Sequence, residues 1–213
     1  MCSSDLPVLA IHPVDKAAGR AIFKRYHADG AEPVVGISVR NWQHETHFKD
    51  VMAEVSDRIV RELGARVVFL PMQFPEDVRA AESVAARMRE PYTVLPGEYT
   101  TAELLSLVGN MDLMLAIRLH ALIFAGVMGV PMIGVSYDPK IDRFLASIGE
   151  KPVGSLDDVT ADELMAEVRR KWNDKAVFRK RNAELLAKLR DLAARNAELA
   201  LQLIGNQEKG TRR

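Results

Sequence analysis

Five short, nearly continuous apolar runs alternate along this chain with stretches in which apolar and polar residues recur at helical spacing. The runs are VVGISV (residues 34–39), ARVVFL (65–70), residues 92–95, residues 112–117 and residues 132–136. Their shortness and their β-branched content predict buried strands. Val51, Val55, Ile59 and Leu63 fall on one helical face, so a helix is predicted over 48–63, stopped by Gly64. A second helix is predicted over 76–89, with Glu76 and Asp77 at its positive end. Thr100 or Thr101 caps a third, running to about residue 108, and Glu103 is placed for a capping box. Helices over 119–128 and 139–148 follow, the last ended by Gly149. Apolar strands alternating with amphipathic helices imply a parallel sheet covered on both faces. Right-handed crossovers then make it an α/β, doubly wound, Rossmann-like domain.

The flanks read differently. Residues 1–32 are expected to be an irregular N-terminal segment or linker, in which 16–27 could form a short helix before Asp29 and Gly30. The Rossmann-like domain is expected over 33–154 and C-terminal helices over 155–205. Thr160 or Asp162 caps the first of these, to about Trp172. The second spans 174–204, with Leu185, Leu189, Leu192, Asn196, Leu199 and Leu203 near one side, a packing stripe more than a coiled coil. Residues 206–213 are expected to be a disordered tail.

The composition narrows the function. In 213 residues, 29 basic side chains balance 29 acidic ones, which argues against nucleic-acid binding through bulk charge. Cys2 is the single cysteine, so no internal disulfide forms and a reducing compartment is expected. The start MCSSDLPVLAIHP has neither a basic head nor a long apolar segment, so no signal peptide is visible. Residues 111–135 are the most apolar stretch, but Arg118, His120, Gly126, Gly129 and Pro131 break it into two buried elements. No GxGxxG follows the first strand, so a dinucleotide site is not supported.

Ligands of open parallel sheets bind beyond the carboxyl ends of the strands. Here those ends carry Arg40, Asn41 and Trp42; Met72 and Gln73; Gly97 and Glu98; Arg118 and His120; and Tyr137, Asp138 and Lys140. Arg118 and His120 flank Leu119, so an extended link turns both to one side. The helix starting near Leu119 adds free backbone N–H groups. Arg40, Arg118, His120, Lys140 and that helix end would together attract an anion bearing phosphate or carboxylate. The plainer readings are that Arg118 is solvated or paired with an acid such as Asp138, and that His120 only satisfies a carbonyl. Trp42 is a core aromatic or a ligand-stacking ring. His44 and His47 are spaced for two metal ligands, but no third is evident, and no metal or other cofactor is expected.

The block IRLHALIFAGVMGVPMIGVSYDPKIDRFL strongly resembles the signature of bacterial polysaccharide pyruvyl transferases, with its Arg-x-His-Ala, Gly-x-Pro and Tyr-Asp-x-Lys in order. GISVRNW, at 36–42, is similar to the upstream Ser-x-Arg-x-Trp segment of that family, and the resemblance covers residues 34–149. It implies a domain from a two-domain, GT-B-type enzyme, with 33–154 binding the donor. Such enzymes move a pyruvyl group from phosphoenolpyruvate to a sugar as a ketal. The members most similar to this sequence act on secondary cell wall polysaccharide precursors. The resemblance puts His120 and Lys140 at the phosphoenolpyruvate site and Arg118 in the same motif; Arg40 matches by sequence alone. Tyr137, Asp138 and Trp42 complete the expected substrate-binding set, and His120 is the expected proton donor.

The family carries a further N-terminal Rossmann-like domain, which this sequence does not include. The chain is therefore expected to be a C-terminal half, inactive alone. A glycan or lipid-linked sugar acceptor and a cytoplasmic location, at the inner face of the membrane, follow from the resemblance. Two rival readings are a glycosyltransferase or epimerase domain that binds a nucleotide sugar, and a non-catalytic remnant. The first usually calls for an acid in the helix after strand four, and 119–128 has none. Two surface expectations remain. The leucine side of the last helix would lie open and promote homo-oligomers. Arg169, Arg170 and Lys171 beside Trp172 would touch a membrane.

Overall fold

A computed structural model of the protein describes residues 12–42 and 46–210. A short helix, α1 (Ala17–Arg25), precedes β1 (Val34–Ser38), α2 (His47–Leu63), β2 (Arg66–Phe69), α3 (Glu76–Ala85) and β3 (Tyr92–Val94). Then come α4 (Thr101–Gly109), β4 (Leu113–Ala116), α5 (Leu119–Val127), β5 (Met132–Gly134), α6 (Pro139–Ser147), α7 (Ala161–Asn173) and α8 (Lys175–Gly210). The strands form one parallel sheet in the order β3-β2-β1-β4-β5.

The pleat explains why the strands are apolar throughout. Val35, Ile37, Val67, Phe69, Leu113, Leu115 and Ile133 join the core under α2, α3 and α7. Val34, Val68, Met114, Ala116 and Met132 join the core under α1, α4, α5, α6 and α8. Both faces are buried, so no position alternates to polar. The chain winds outward from β1 to β3 beneath one face, then crosses to the other side of β1 for β4. Connections on opposite faces diverge from β1 and β4, and their carboxyl ends bound a crevice at the switch point. Gly64 ends α2 in a left-handed cap at φ 58°. Reciprocal capping boxes, Thr100 with Glu103 and Thr160 with Glu163, start α4 and α7.

Several expectations change. The segment ahead of β1 is no linker, because α1 packs on α4. The Gly19 N–H donates to Ser106 Oγ at 2.8 Å, and the Ser106 hydroxyl donates to the Asp15 carbonyl at 2.7 Å. Ile22 and Phe23 are buried beneath it. Residues 1–11, which hold Cys2, lie outside the described residues. Helix α3 stops at Ala85, short of Arg89, because the buried Asp57 carboxylate accepts the N–H groups of Arg89 and Glu90 and draws the chain away.

The last helix differs most. Its buried line is Phe178, Asn182, Leu186, Leu189 and Ala193, while Leu192 is 53% exposed. Steps of four and three residues keep that line on the core beside α5, and Leu192 falls off it. Of the leucine side expected to lie open, Leu189 is covered by this domain's own core, Leu185 is half-buried and Leu192 is exposed. The side chains of Asn196, Leu199 and Leu203 lie outside the description. Helix α8 continues through residues 206–210. Residues 211–213 lie outside the description. The cations of the basic cluster are each paired within the domain. Arg169 pairs with Glu62, Arg170 with Glu167, and Lys171, only 2% exposed, with Glu150. Trp172 is occupied by the Lys175 ammonium, 3.7 Å from its ring centre. No helix among the described residues is long and apolar enough to cross a membrane.

Candidate functional site

All the rim residues singled out above stand at one edge of the sheet, because every strand is parallel. They form distinct groups there. Arg40 follows β1, and its Nη1 donates to the Tyr137 hydroxyl, beyond β5, at 3.0 Å. Its guanidinium carbon lies 5.5 Å from the ring centres of both Trp42 and Tyr137. Those two rings are 4.5 Å apart and tilted by 50°. The stacking position for Trp42 is thus realised against protein groups, Arg40 and Tyr137. Arg40 Nε is buried and has no hydrogen-bond partner among the described residues.

Arg118 makes the second group, across the switch crevice. Its backbone is extended, at φ −90° and ψ 120°, and it is the N-cap of α5 without a side-chain cap. Its pairing with Asp138 does not occur. Arg118 Nε instead meets Asp77 Oδ2 at 3.1 Å, and Nη2 donates to Gln73 Oε1 at 3.2 Å. The same Asp77 oxygen accepts the N–H groups of Met72 and Gln73 at 3.0 and 2.9 Å. Burial raises the Asp77 carboxyl above the ordinary range, while Arg118, the two amides and Arg40 pull it down. With three donors on one oxygen, the carboxylate is the form this geometry holds.

Asp138 is the N-cap of α6. It accepts the Lys140 N–H at 2.9 Å, and Pro139 sets the first turn. Lys140 Nζ is loosely paired with Asp138 Oδ2 at 3.7 Å. His120 stands exposed in the first turn of α5, its ring 6.4 Å from that of Phe124, while neighbouring Leu119 is buried. That turn contains no acidic residue, so the dipole end of α5 keeps its positive character. A cavity of about 190 Å³ adjoins Arg40 and Asp77, lined by Arg40, Asn41, Gln73, Glu76, Asp77 and Arg79; Arg118, His120 and Lys140 are not in its lining.

Sequence reasoning missed Asp77 and Gln73 as the groups that hold Arg118. Gln73 had been placed at the rim, and Asp77 only at a helix start. The available signal was an acid in the first turn after a rim strand, where backbone amides and a nearby arginine converge. His47 Nε2 lies 3.2 Å from the Val159 carbonyl, and His44 is outside the described residues. No group of three or more His, Cys, Asp or Glu among the described residues could hold a metal ion.

Comparison with known proteins fits this architecture. No curated protein matches the sequence. Among solved structures, MnaA of S. aureus, solved with UDP, superposes with a TM-score of 0.57 at 8% identity, over 76% of this chain and 42% of that one. A family 9 glycosyl transferase from Veillonella parvula gives 0.54 at 13% identity, over 81% and 51%. An α,α-trehalose 6-phosphate synthase from Burkholderia multivorans gives 0.56 at 12% identity, over 92% and 49%. The chain thus spans about half the length of these structures. At such identities the likeness establishes the fold, a Rossmann-like domain of the GT-B kind. The sequence profile described as polysaccharide pyruvyl transferase matches residues 7–139. That match runs through all five strands to the first residue of α6, more than half of the sequence, and the chain belongs to the polysaccharide pyruvyl transferase family.

Proposed function

We propose that this chain forms the donor side of a pyruvyl transferase that takes a pyruvyl group from phosphoenolpyruvate to a sugar hydroxyl pair as a ketal. The observation that carries this reading is the buried Nε of Arg40, without a hydrogen-bond partner among the described residues, at the switch crevice where Asp77 holds Arg118. A phosphate and a carboxylate on one small molecule need several fixed cations, and Arg40, Arg118, Lys140 and the α5 amides supply them. His120 protonates the methylene carbon. A sugar hydroxyl then attacks the adjacent carbon, and its proton passes to His120, restoring the acid. The phosphate departs with the electrons of its C–O bond, and a second hydroxyl closes the ketal as its proton passes to the released phosphate. Arg118 and Lys140 neutralise the leaving phosphate. The acceptor is a cell-wall or envelope polysaccharide precursor, a glycan or a lipid-linked sugar, and the reaction runs in the cytoplasm. The scheme calls for no cofactor.

The reading is tested first by calorimetry with phosphoenolpyruvate, inorganic phosphate and a uridine diphosphate sugar. Weak binding of phosphoenolpyruvate and none of the nucleotide sugar is expected, with no transfer by this chain alone. The reverse preference favours a nucleotide-sugar domain, and no binding of either favours a non-catalytic one. In an active enzyme containing this chain, His120→Ala should lower turnover by roughly 10²–10⁴-fold. Full activity of the folded variant removes His120 from the mechanism.

A further inference from the structure

Beyond the anion site lies a second cavity of about 310 Å³ on the far side of Tyr137. Its lining has the opposite character. Trp42 and Tyr137 give it aromatic walls, Ser136 and Ser155 give it hydroxyls, and Asp142 and Asp157 are exposed carboxylates at its rim. No lysine or arginine lines it. Its base is fixed by backbone. Ser136 and Ser155 form a parallel bridge, in which the Ser136 N–H donates to the Gly154 carbonyl at 2.9 Å and the Leu156 N–H to the Ser136 carbonyl at 3.1 Å. The Ser136 hydroxyl donates to Asp142 Oδ2 at 2.5 Å, which fixes that carboxylate against the wall.

We infer that this cavity is the subsite for an uncharged pyranose ring of the acceptor, a role that rests on the pyruvyl transferase reading above. Three features select that class of ligand. The volume lies at the low end of small-molecule sites, which suits one sugar ring and excludes a whole nucleotide sugar. Three carboxylates, of Asp138, Asp142 and Asp157, in a lining that contains no lysine or arginine disfavour phosphates and uronic acids, but accept hydrogen bonds from paired hydroxyls. Aromatic walls take the C–H face of the ring. Position completes the argument. Tyr137 links the two places: it lines this cavity, and its hydroxyl accepts from Arg40, which lines the smaller one. A hydroxyl-bearing ring seated here therefore borders the place where the donor's anionic groups would be bound, and the two pockets separate neutral from anionic substrate by charge.

The test uses the 213-residue chain without donor. Methyl glucoside, methyl mannoside and methyl N-acetylglucosaminide are titrated by calorimetry and by saturation-transfer NMR, with glucuronic acid as the anionic control. At least one neutral glycoside should bind saturably in the millimolar range, and glucuronic acid about tenfold or more weakly. Trp42→Ala should weaken the binding about tenfold or more, and Asp142→Asn, at an exposed position, should weaken it with an unchanged melting temperature. Failure of all three glycosides to saturate overturns the inference. So does equal binding of glucuronic acid, or unchanged affinity in both variants. A phosphoenolpyruvate titration kept separate tells the two proposals apart. Donor binding without sugar binding overturns this subsite alone, and sugar binding without donor binding overturns the donor reading alone.

Discussion

Replacing Asp77 tests how Arg118 is held. The carboxylate is 2% exposed and the Arg118 side chain 12%, and one oxygen receives Arg118 Nε and two backbone N–H groups. Asp77→Ala strands a nearly buried guanidinium, and loss of one member of a buried pair costs about 3–5 kcal/mol. The two amides lose their acceptor at the same stroke, at ~1–3 kcal/mol each if water cannot reach them. Their partial exposure lets water reach them, so the expected total is about 4 kcal/mol, a large share of a typical domain's ~5–15 kcal/mol. Asp77→Asn keeps an acceptor in place and loses only the charge, at about 1–2 kcal/mol. Urea melts with an unchanged slope measure both. The pH dependence of Arg118→Ala supplies an independent check. Burial already raises the Asp77 carboxyl, and the guanidinium is the largest influence holding it down. Without Arg118 it rises further, so between its unfolded and folded values the native state binds more protons than the unfolded one. Stability then falls as the pH rises through that window. The Arg118→Ala loss should be small in acid and full at neutral pH. Equal losses for Asp77→Ala and Asp77→Asn, together with a loss for Arg118→Ala that does not vary with pH, would refute the anchoring role.

Other expectations rest on single contacts. Gly19→Ala places a Cβ 2.4 Å from the Ser106 carbonyl oxygen, a backbone atom, and should cost about 1–3 kcal/mol in urea melts by lifting α1 from α4. Thr160→Ala removes the capping box of α7 and should cost about 1 kcal/mol, lowering the thermal midpoint by a few degrees. Lys171→Ala leaves Glu150, 7% exposed, with only Arg181 and should cost about 3 kcal/mol, whereas Glu150→Gln combined with Lys171→Met should recover most of that loss in the same melts.

The sheet was legible because its strands are buried on both faces, which leaves uninterrupted runs such as VVGISV in the sequence. Arg40, Arg118 and Lys140 were placed correctly at the rim because their positions follow from strand ends alone. Their partners were not legible. Asp77 reaches Arg118 only through the packing of α3 beside the crevice, 41 residues earlier in the chain than the side chain it holds. The C-terminal helices misled for a related reason. Lys171 and Trp172 read as a surface patch until Glu150 and Lys175 are brought to them by the tertiary fold. In α8 the leucines alone suggested a line through Leu192, but the core beside α5 admits Asn182 and Leu186 instead.

The central place of β1 also has a consequence for synthesis. One side of this strand pairs with β2, which follows after a single helix. The other side pairs with β4, and the contact that opens that ladder, from the Val34 N–H to Asp112, joins residues 78 apart. At ~5–20 residues per second, a ribosome needs roughly 4–16 s to deliver the missing partner. Through that interval β1 carries an open edge with Val35 and Ile37 on it, and for its last ~1–4 s that edge belongs to the nearly complete β1–α2–β2–α3–β3 unit; an unpaired apolar edge is the kind of template that recruits other chains. The growing polypeptide is therefore most in need of a chaperone between the emergence of β3 and that of β4.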